Sequence, residues 1–306
     1  MSRHLAIVGA TASGKSALAL VLAREGIGGG RVELVSADSM QVYRGMDIGT
    51  AKPSAAERAE VRHHLIDVAD PSEDYHVARF QGDVAAVLAD IEARGSRAVL
   101  VGGTGLYVRA VVDALGVPAS YPDIRARLEG EEDTAKLYDE LAMADPAAAT
   151  RMDAGNRRRV IRALEVTLGS GRRFSDHGPG LDVYGPPAID VDLVGLAIPT
   201  DTLRARIADR VGAMLDAGWL AEVEALARRE RPLSRTARQA LGYRELLSHV
   251  EDGSPLADAV ERTIHRTRQF ARRQRVWFRR DPRIHWIDGT KTVDQLLPEL
   301  RDWWTT

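Results

Sequence analysis

HLAIVGATASGKSALALVLARE, residues 4–25, is the stretch that decides the fold. A short apolar run ends in Gly9, a glycine-rich loop follows, and apolar residues with helical spacing come directly after it. This order predicts a strand, a tight loop and a helix. The segment GATASGKS, from Gly9 to Ser16, fits the pattern G-x-x-x-x-G-K-[ST] in the structural context that this pattern requires. We therefore expect a loop that holds a diphosphate or a triphosphate.

The chemistry of this loop follows from its residue types. Glycines at positions 9 and 14 allow backbone N–H groups to point at phosphate oxygens, and the next helix adds the positive end of its dipole. Lys15 supplies a full positive charge, and Ser16 is placed to ligate Mg²⁺, the cofactor that we expect to bridge phosphate oxygens. The alternative is a purely structural glycine turn before a helix.

Strands and helices alternate along the rest of the core. VELVSA (32–37), RAVLVGG (97–103) and VDLVGLAI (191–198) are strand-like, and Val77 to Arg94 is amphipathic. We predict an α/β fold, a nucleotide-kinase-like parallel sheet with a phosphate loop and flanking helices. From Ile124 to Leu168 the spacing is helical, and 169–187 is a Gly- and Pro-rich return linker. The predicted domains are a core with the phosphate loop (1–115 and 186–306), which ends in C-terminal helices, and an inserted helical subdomain (116–185).

Composition and charge limit the possible functions. The 306 residues contain no cysteine, which excludes thiolate nucleophiles and cysteine zinc sites, and no apolar run is long enough to cross a bilayer. We expect a cytoplasmic protein that does not bind membranes. The net charge is only −2, but ERTIHRTRQFARRQRVWFRRDPR (261–283) concentrates arginine and suits a polyanion.

Asp38 follows the strand VELVSA at the edge where open α/β sheets bind their ligands. A carboxylate there can accept a proton from an attacking amine or hydroxyl, or hold a metal-bound water. It can also be a turn or helix N-cap aspartate.

Seven segments together resemble bacterial tRNA dimethylallyltransferases (the IPP transferase family) over residues 5–286. They are GATASGKS (9–16), SADSMQVYRGMDIGTAKP (36–53), HHLIDV (63–68), VGGTGLY (101–107), RRRVIRALEV (157–166), QALGYRE (239–245) and TRQFARRQRVWFR (267–279). The resemblance implies transfer of a dimethylallyl group from its diphosphate to the exocyclic N6 amine of the adenine 3′-adjacent to the anticodon, with release of diphosphate.

The resemblance also implies roles for individual residues. Asp38 acts as general base, and Lys15 and Thr104 complete the catalytic set, although Thr104 also suits a helix N-cap. Arg206 and Arg210 lie one helical turn apart, and Arg210 is the better match for a diphosphate ligand, the alternative being two surface arginines. The implied diphosphate ligands are Gly9, Ala10, Thr11, Ala12, Ser13, Gly14, Lys15, Ser16 and Arg210.

The tRNA partner is expected to bind through its anticodon stem-loop, from which one base is extracted. Arginine planes and aromatic rings suit stacked bases and phosphates. Tyr243 either stacks on RNA or fills a gap between helices. The side chains of His63 and His64, adjacent on a strand, are expected to point to opposite faces, so a shared metal is not expected. The implied tRNA contacts are Asp38, Ser39, Met40, Gln41, Thr104, Arg125, Val160, Ile161, Arg162, Ala163, Leu164, Gly242, Tyr243, Arg244, Arg272, Arg273, Gln274, Arg275, Trp277 and Arg279.

Three other functions share parts of this pattern: a small-molecule kinase with a phosphate loop, a prenyltransferase of free adenine nucleotides, and an RNA-binding NTPase. The arginine-rich stretch 261–283 would have no role in a small-molecule kinase. This stretch, the arginines of 157–162 and the segment 239–245 together form three regions suited to RNA, which disfavour a prenyltransferase of free nucleotides. We expect a monomer, since no exposed apolar stripe indicates a partner face.

Overall fold

The computed structural model describes residues 4–26, 30–178, 180–181 and 183–305. Contacts within these ranges divide the chain into two compact units, Met1–Ala114 with Pro186–Thr306, and Leu115–Gly185. Residues 179 and 182 of the predicted return linker lie outside the described residues.

A parallel sheet forms the centre of the first unit, and the α/β fold class is confirmed. Its strands are β1 (His4–Val8), β2 (Val32–Ser36), β3 (His63–His64), β4 (Arg97–Gly102), β5 (Val191–Ala197) and β6 (His285–Asp288). Their order across the sheet is β3-β2-β4-β1-β5-β6, and all neighbours run parallel. The carboxyl ends of β1, β2 and β4 therefore meet at one edge, where the loops that follow them come together.

Helices cover both faces of this sheet. The first unit contains α1 (Lys15–Glu25), α2 (Ala55–Glu60), α3 (Val77–Ala93) and α4 (Gly105–Val112), and the second unit contains α5 (Pro122–Gly130), α6 (Thr134–Ala144), α7 (Pro146–Ala149) and α8 (Arg157–Ser170). The first unit continues with α9 (Thr200–Asp216), α10 (Trp219–Ala227), α11 (Arg235–Arg238), α12 (Tyr243–Asp252), α13 (Leu256–Arg279) and α14 (Val293–Thr305). None of the helices in the described ranges is long and apolar enough to cross a membrane.

Successive side chains of β1 point to opposite faces of the sheet and belong to two separate hydrophobic cores. Leu5 and Ile7 pack with α1 and α14, whereas Ala6 and Val8 pack with the side chains of α3, α4 and α12 on the opposite face. Because successive side chains of a strand point to opposite faces, a strand buried on both sides is apolar throughout. All five residues of β1 are buried.

The second unit has a separate core. Leu128, Leu137 and Leu141 from α5 and α6 pack against the apolar face of α8. The Glu165 carboxylate is fully buried and accepts hydrogen bonds from Ser120 Oγ at 3.0 Å and from the Tyr121 backbone at 2.8 Å. Burial opposes its ionisation, but these bonds and the Arg162 guanidinium outweigh that effect and lower its pKa. The chain entering α5 is thereby tied to α8.

Two sequence predictions about elements need correction. The segment after β5 was predicted only as C-terminal helices, but residues 285–288 form the strand β6 at the edge of the sheet. The linker 169–187 is not wholly irregular, because α8 extends to Ser170 and a single 3₁₀ turn covers Phe174–His177.

Candidate active site

The phosphate loop joins β1 to α1 at the carboxyl edge of the sheet. Gly14 has φ of 96°, a left-handed conformation that a residue without a Cβ adopts at little cost, and the space around it is open. No side chain caps the start of α1. The first N–H groups of this helix are therefore available to an anion, as the motif predicts.

Lys15 is buried beneath this loop. Its Nζ donates to the Ala10 carbonyl at 2.5 Å and lies 3.5 Å from Ser13 Oγ, and the residue is 8% exposed. Burial and the nearby Arg210 guanidinium lower the pKa of Lys15 to about 7, against the opposing effect of the Asp38 carboxylate. The site thus holds a desolvated ammonium group whose charge an anionic ligand would stabilise.

Arg210 of α9 supplies the second cation. Its Nη1 donates to Thr11 Oγ1 at 3.3 Å. Burial lowers the pKa of Arg210, while the Asp38 carboxylate raises it. Among the described contacts none joins Arg206 to the loop, so Arg210 is the arginine of this helix that faces the phosphate loop.

Asp38 lies directly after β2 and belongs to the same electrostatic cluster, since its carboxylate influences both Lys15 and Arg210. Its Oδ1 accepts the Met40 backbone N–H at 2.8 Å, which makes it a turn aspartate. Within the described chain Oδ2 accepts no hydrogen bond and is available to a substrate. The turn and the proton-accepting role are therefore compatible.

Thr104 approaches Asp38 from the end of β4. The Ser39 backbone N–H donates to Thr104 Oγ1 at 3.3 Å, and the two hydroxyls lie 3.4 Å apart. Thr104 occupies the N-cap position of α4, but its side chain makes no capping hydrogen bond. The hydroxyl faces the Asp38 loop instead, so the N-cap interpretation is wrong for its side chain.

Gln41 holds the loop that carries Asp38. Its Oε1 accepts from Ser36 Oγ at 2.8 Å, and its Nε2 donates to the carbonyls of Thr50 and Ala51, both at 3.1 Å. These bonds hold the carboxamide within the loop, and its predicted contact with the RNA base stays a prediction.

Glu222 of α10 fixes the far end of the same loop and was not found from the sequence. Its carboxylate accepts backbone N–H groups of Asp47, Ile48 and Gly49 at 2.9, 2.8 and 3.3 Å. It also accepts the Tyr243 hydroxyl at 2.5 Å. Burial and this carboxylate raise the pKa of Tyr243.

We expect Glu222→Gln to lower the free energy of unfolding by about 1–3 kcal/mol, because it replaces a charged acceptor of several N–H groups. Urea unfolding measures the change. The control is Glu224→Gln on the same helix, where a surface ion pair with Arg228 at 3.6 Å should contribute about 0.5 kcal/mol. Equal effects of the two substitutions would contradict the role given to Glu222.

Several of the predicted RNA contacts are buried in the free protein, and their contact with RNA stays a prediction. Tyr243 packs edge-on against Trp219 with ring centroids 5.7 Å apart, and so fills a gap between helices. Gln274 is only 6% exposed. The other buried members are Val160, Ile161, Ala163, Leu164 and Gly242.

Two arginines of the second unit are engaged within it. Arg162 donates to the carbonyls of Pro118 at 2.8 Å and Ala119 at 3.2 Å and pairs with Glu165 at 2.9 Å. Arg125 pairs with Glu129 at 3.1 Å. The exposed cations of α8 are instead Arg158 and Arg159.

The C-terminal half of α13 presents cations on its outer face. Arg272, Arg273 and Arg279 are exposed, as is Arg244 at the start of α12. Arg275 donates to Thr200 Oγ1 at 2.6 Å. Arg275 and Arg279 also line a cavity of about 200 Å³ with an aliphatic wall and one face formed by Trp286.

The two histidines of β3 have separate partners. His64 Nε2 lies 2.7 Å from Glu33, and His63 Nδ1 lies 2.7 Å from the Val61 carbonyl. Burial lowers the pKa of His63. The part of the chain that the structure describes contains no group of three or more acidic or histidine side chains that could hold a metal on its own.

Comparisons with known proteins show the family of the chain. A family model described as IPP transferase matches residues 41–281. A tRNA dimethylallyltransferase of Kineococcus radiotolerans is 48% identical over 96% of both chains, and one of a Nocardioides species is 46% identical over 96% of this chain and 94% of its own. The tRNA isopentenylpyrophosphate transferase structure from Bacillus halodurans gives a TM-score of 0.71 at 36% identity, covering 100% of this chain and 96% of that one. A eukaryotic dimethylallyltransferase structure, described as acting on tRNA, gives 0.80 at 26% identity, covering 100% and 80%. The chain therefore belongs to the IPP transferase family.

Proposed function

We propose that this chain transfers the dimethylallyl group of dimethylallyl diphosphate to the N6 amine of the adenine 3′-adjacent to the anticodon in tRNA. The observation that carries the proposal is the cluster at the carboxyl edge of the sheet. There two cations, Lys15 and Arg210, lie at the phosphate loop within electrostatic reach of the Asp38 carboxylate. Family membership supports the same activity.

In the proposed reaction, the bond between C1 of the allyl group and the diphosphate oxygen breaks, and N6 of adenine bonds to C1. The bonding pair leaves with the diphosphate, whose charge Lys15, Arg210 and the free N–H groups of α1 stabilise. The proton lost from N6 goes to Asp38 Oδ2. Thr104, which faces the Asp38 loop, lies beside the incoming base.

Mg²⁺ is the proposed cofactor. The exposed Ser16 hydroxyl offers a hard oxygen donor at the phosphate loop. It fits Mg²⁺, which keeps several waters and takes few protein ligands when it binds phosphates. When bound, it would add positive charge at the leaving diphosphate.

Transfer RNA is the proposed acceptor, and we propose that the chain acts in the cytoplasm as a monomer. The exposed arginines of α13 and of α8 give each unit a cationic surface for RNA phosphates. Ser39 and Met40, next to Asp38, are the proposed contacts of the flipped base.

One assay tests the reaction. Purified protein is incubated with unmodified tRNA, labelled dimethylallyl diphosphate and Mg²⁺, and label is expected on the RNA. Label on free adenine nucleotides alone, or ATP hydrolysis without prenyl product, would replace the proposal with one of its rivals.

The pH dependence of donor binding follows from Lys15. Its pKa is about 7 in the free protein, and a bound diphosphate favours the charged form. We expect donor affinity to fall as the pH rises from about 7.5 to 9, by at most about tenfold per unit, with uptake of up to one proton on binding. Calorimetry in two buffers of different ionisation enthalpy measures this uptake. Lys15→Met should abolish it, and a wild-type protein without proton uptake would contradict the assignment.

A further inference from the structure

Helix α13 carries a buried glutamine between its exposed arginines. Gln274 is 6% exposed, whereas Arg272 and Arg273 immediately before it are exposed. Ala271, one turn earlier on the same face, belongs to the same small apolar cluster as Ala10 of the phosphate loop. The helix that presents cations outward therefore rests directly on the phosphate loop.

The Gln274 carboxamide joins two loops of the site. Its Oε1 accepts the Thr11 backbone N–H at 2.8 Å, and its Nε2 donates to the Gly103 carbonyl at 2.8 Å. An N–H needs an acceptor and a carbonyl needs a donor, so this orientation of the amide is the only one that satisfies both. Thr11 also meets Arg210, and Gly103 precedes Thr104.

The backbone at positions 103 and 105 leaves space for this contact. A Cβ at Gly103 would lie 2.2 Å from Gln274 Nε2, and one at Gly105 would lie 2.2 Å from the Trp277 ring. The glycines that flank Thr104 therefore allow α13 to touch this backbone directly. Gln274 and Trp277 together hold the segment that presents Thr104.

We propose that Gln274 is a positioning residue of the transfer reaction, which rests on the function proposed above. It sets the phosphate loop, through Thr11, and the Thr104 segment, through Gly103, at a fixed separation under the RNA-facing helix. The donor carbon and the acceptor nitrogen then meet at bonding distance. A displacement of about 1 Å in such a site lowers the rate by about 100-fold.

Two substitutions of similar size test the proposal. Gln274→Met keeps the volume but loses both hydrogen bonds. Gln274→Glu keeps the acceptor for Thr11, but its second carboxylate oxygen faces the Gly103 carbonyl. Gln269, an exposed glutamine on the same helix that pairs with His265 at 2.8 Å, provides the matched controls Gln269→Met and Gln269→Glu.

We expect Gln274→Met to lower kcat by about 10- to 100-fold, while RNA affinity stays within about twofold of wild type. Gln274→Glu should be equally impaired at about pH 8 and recover as the pH falls toward 6, because a protonated carboxyl donates to Gly103 as the amide does. The activity ratio to wild type at each pH isolates this recovery. The Gln269 variants should match wild type in donor affinity, and in kcat at saturating RNA.

Two results would overturn the proposal. In one, Gln274→Met matches Gln269→Met in kcat and in affinity for dimethylallyl diphosphate by calorimetry. In the other, activity falls equally at every pH in Gln274→Glu, which assigns the residue to packing alone. If the wild-type protein transfers no label, the proposed function fails instead. The affinity for dimethylallyl diphosphate, measured directly, then still tests the role of Gln274. We expect Gln274→Met to lower this affinity by about tenfold.

Discussion

Asp38→Asn is expected to lower the kcat of dimethylallyl transfer by about 10²- to 10⁴-fold, the contribution of a positioned general base. Asparagine retains an oxygen for the Met40 N–H, which Asp38 accepts at 2.8 Å, so the turn should survive. The substitution removes the proton acceptor and the negative charge. RNA affinity should stay within about twofold of wild type, since a base that acts on the reacting amine contributes mainly in the transition state.

The measurement needs saturating donor, because the Asp38 carboxylate also raises the pKa of Lys15 and helps to keep it charged. Single-turnover transfer with excess enzyme and donor reports the chemical step. Asp153 is the matched control, since its Oδ1 accepts the Gly155 N–H at 2.9 Å in the same kind of turn. If Asp38→Asn were as active as Asp153→Asn, Asp38 would be a turn residue only.

The phosphate loop and most of the sheet were predictable because their signals are local. Four of the strands are apolar runs of five to seven residues, and glycines, Lys15 and Ser16 fall within one short motif. β6 was missed because it has only four residues, without a regular alternation of burial, and pairs with a strand far away in sequence, Val194 with His285. An edge strand of that length has no periodicity to detect.

The burial of several predicted RNA contacts has a geometric cause. Val160 to Leu164 are consecutive in α8, and a helix of 3.6 residues per turn places five consecutive residues on every side. At most a part of such a segment can face RNA, and here Val160, Ile161, Ala163 and Leu164 form the core. The same geometry separates buried Gln274 from exposed Arg272 and Arg273.

Residues that connect loops far apart in sequence could not be predicted from local sequence patterns. Gln274 bonds to Thr11 across 263 positions, and Glu222 bonds to Ile48 across 174. Most of their partners are backbone groups, which almost any residue type supplies. The residue type at the partner position therefore does not indicate the contact. Only the three-dimensional arrangement reveals that these two side chains determine where the loops lie.

Lys15→Met is expected to lower kcat/KM for dimethylallyl diphosphate by about 10²- to 10³-fold, the loss measured when a group that stabilises developing negative charge is removed from an active site. In the absence of donor, the Lys15 ammonium donates to the Ala10 carbonyl at 2.5 Å. A diphosphate offers it a full counter-charge as the allylic bond breaks. Steady-state kinetics over a range of donor concentrations measures the loss.

The thermal stability of Lys15→Met distinguishes a loss of catalysis from a loss of folded protein. The pKa of Lys15 is about 7 in the folded chain and 10.5 as its ordinary value, so the unfolded chain binds the extra proton between these limits. Below about pH 7 the buried charge therefore lowers the free energy of unfolding of the wild-type protein by its full amount. This effect shrinks as the pH rises toward 10.5. We expect Lys15→Met to have a higher Tm than wild type below pH 7, and a smaller advantage at pH 9. A side chain that destabilises the free protein is retained for what it binds. A lower Tm of Lys15→Met at every pH would instead attribute the kinetic loss to unfolding.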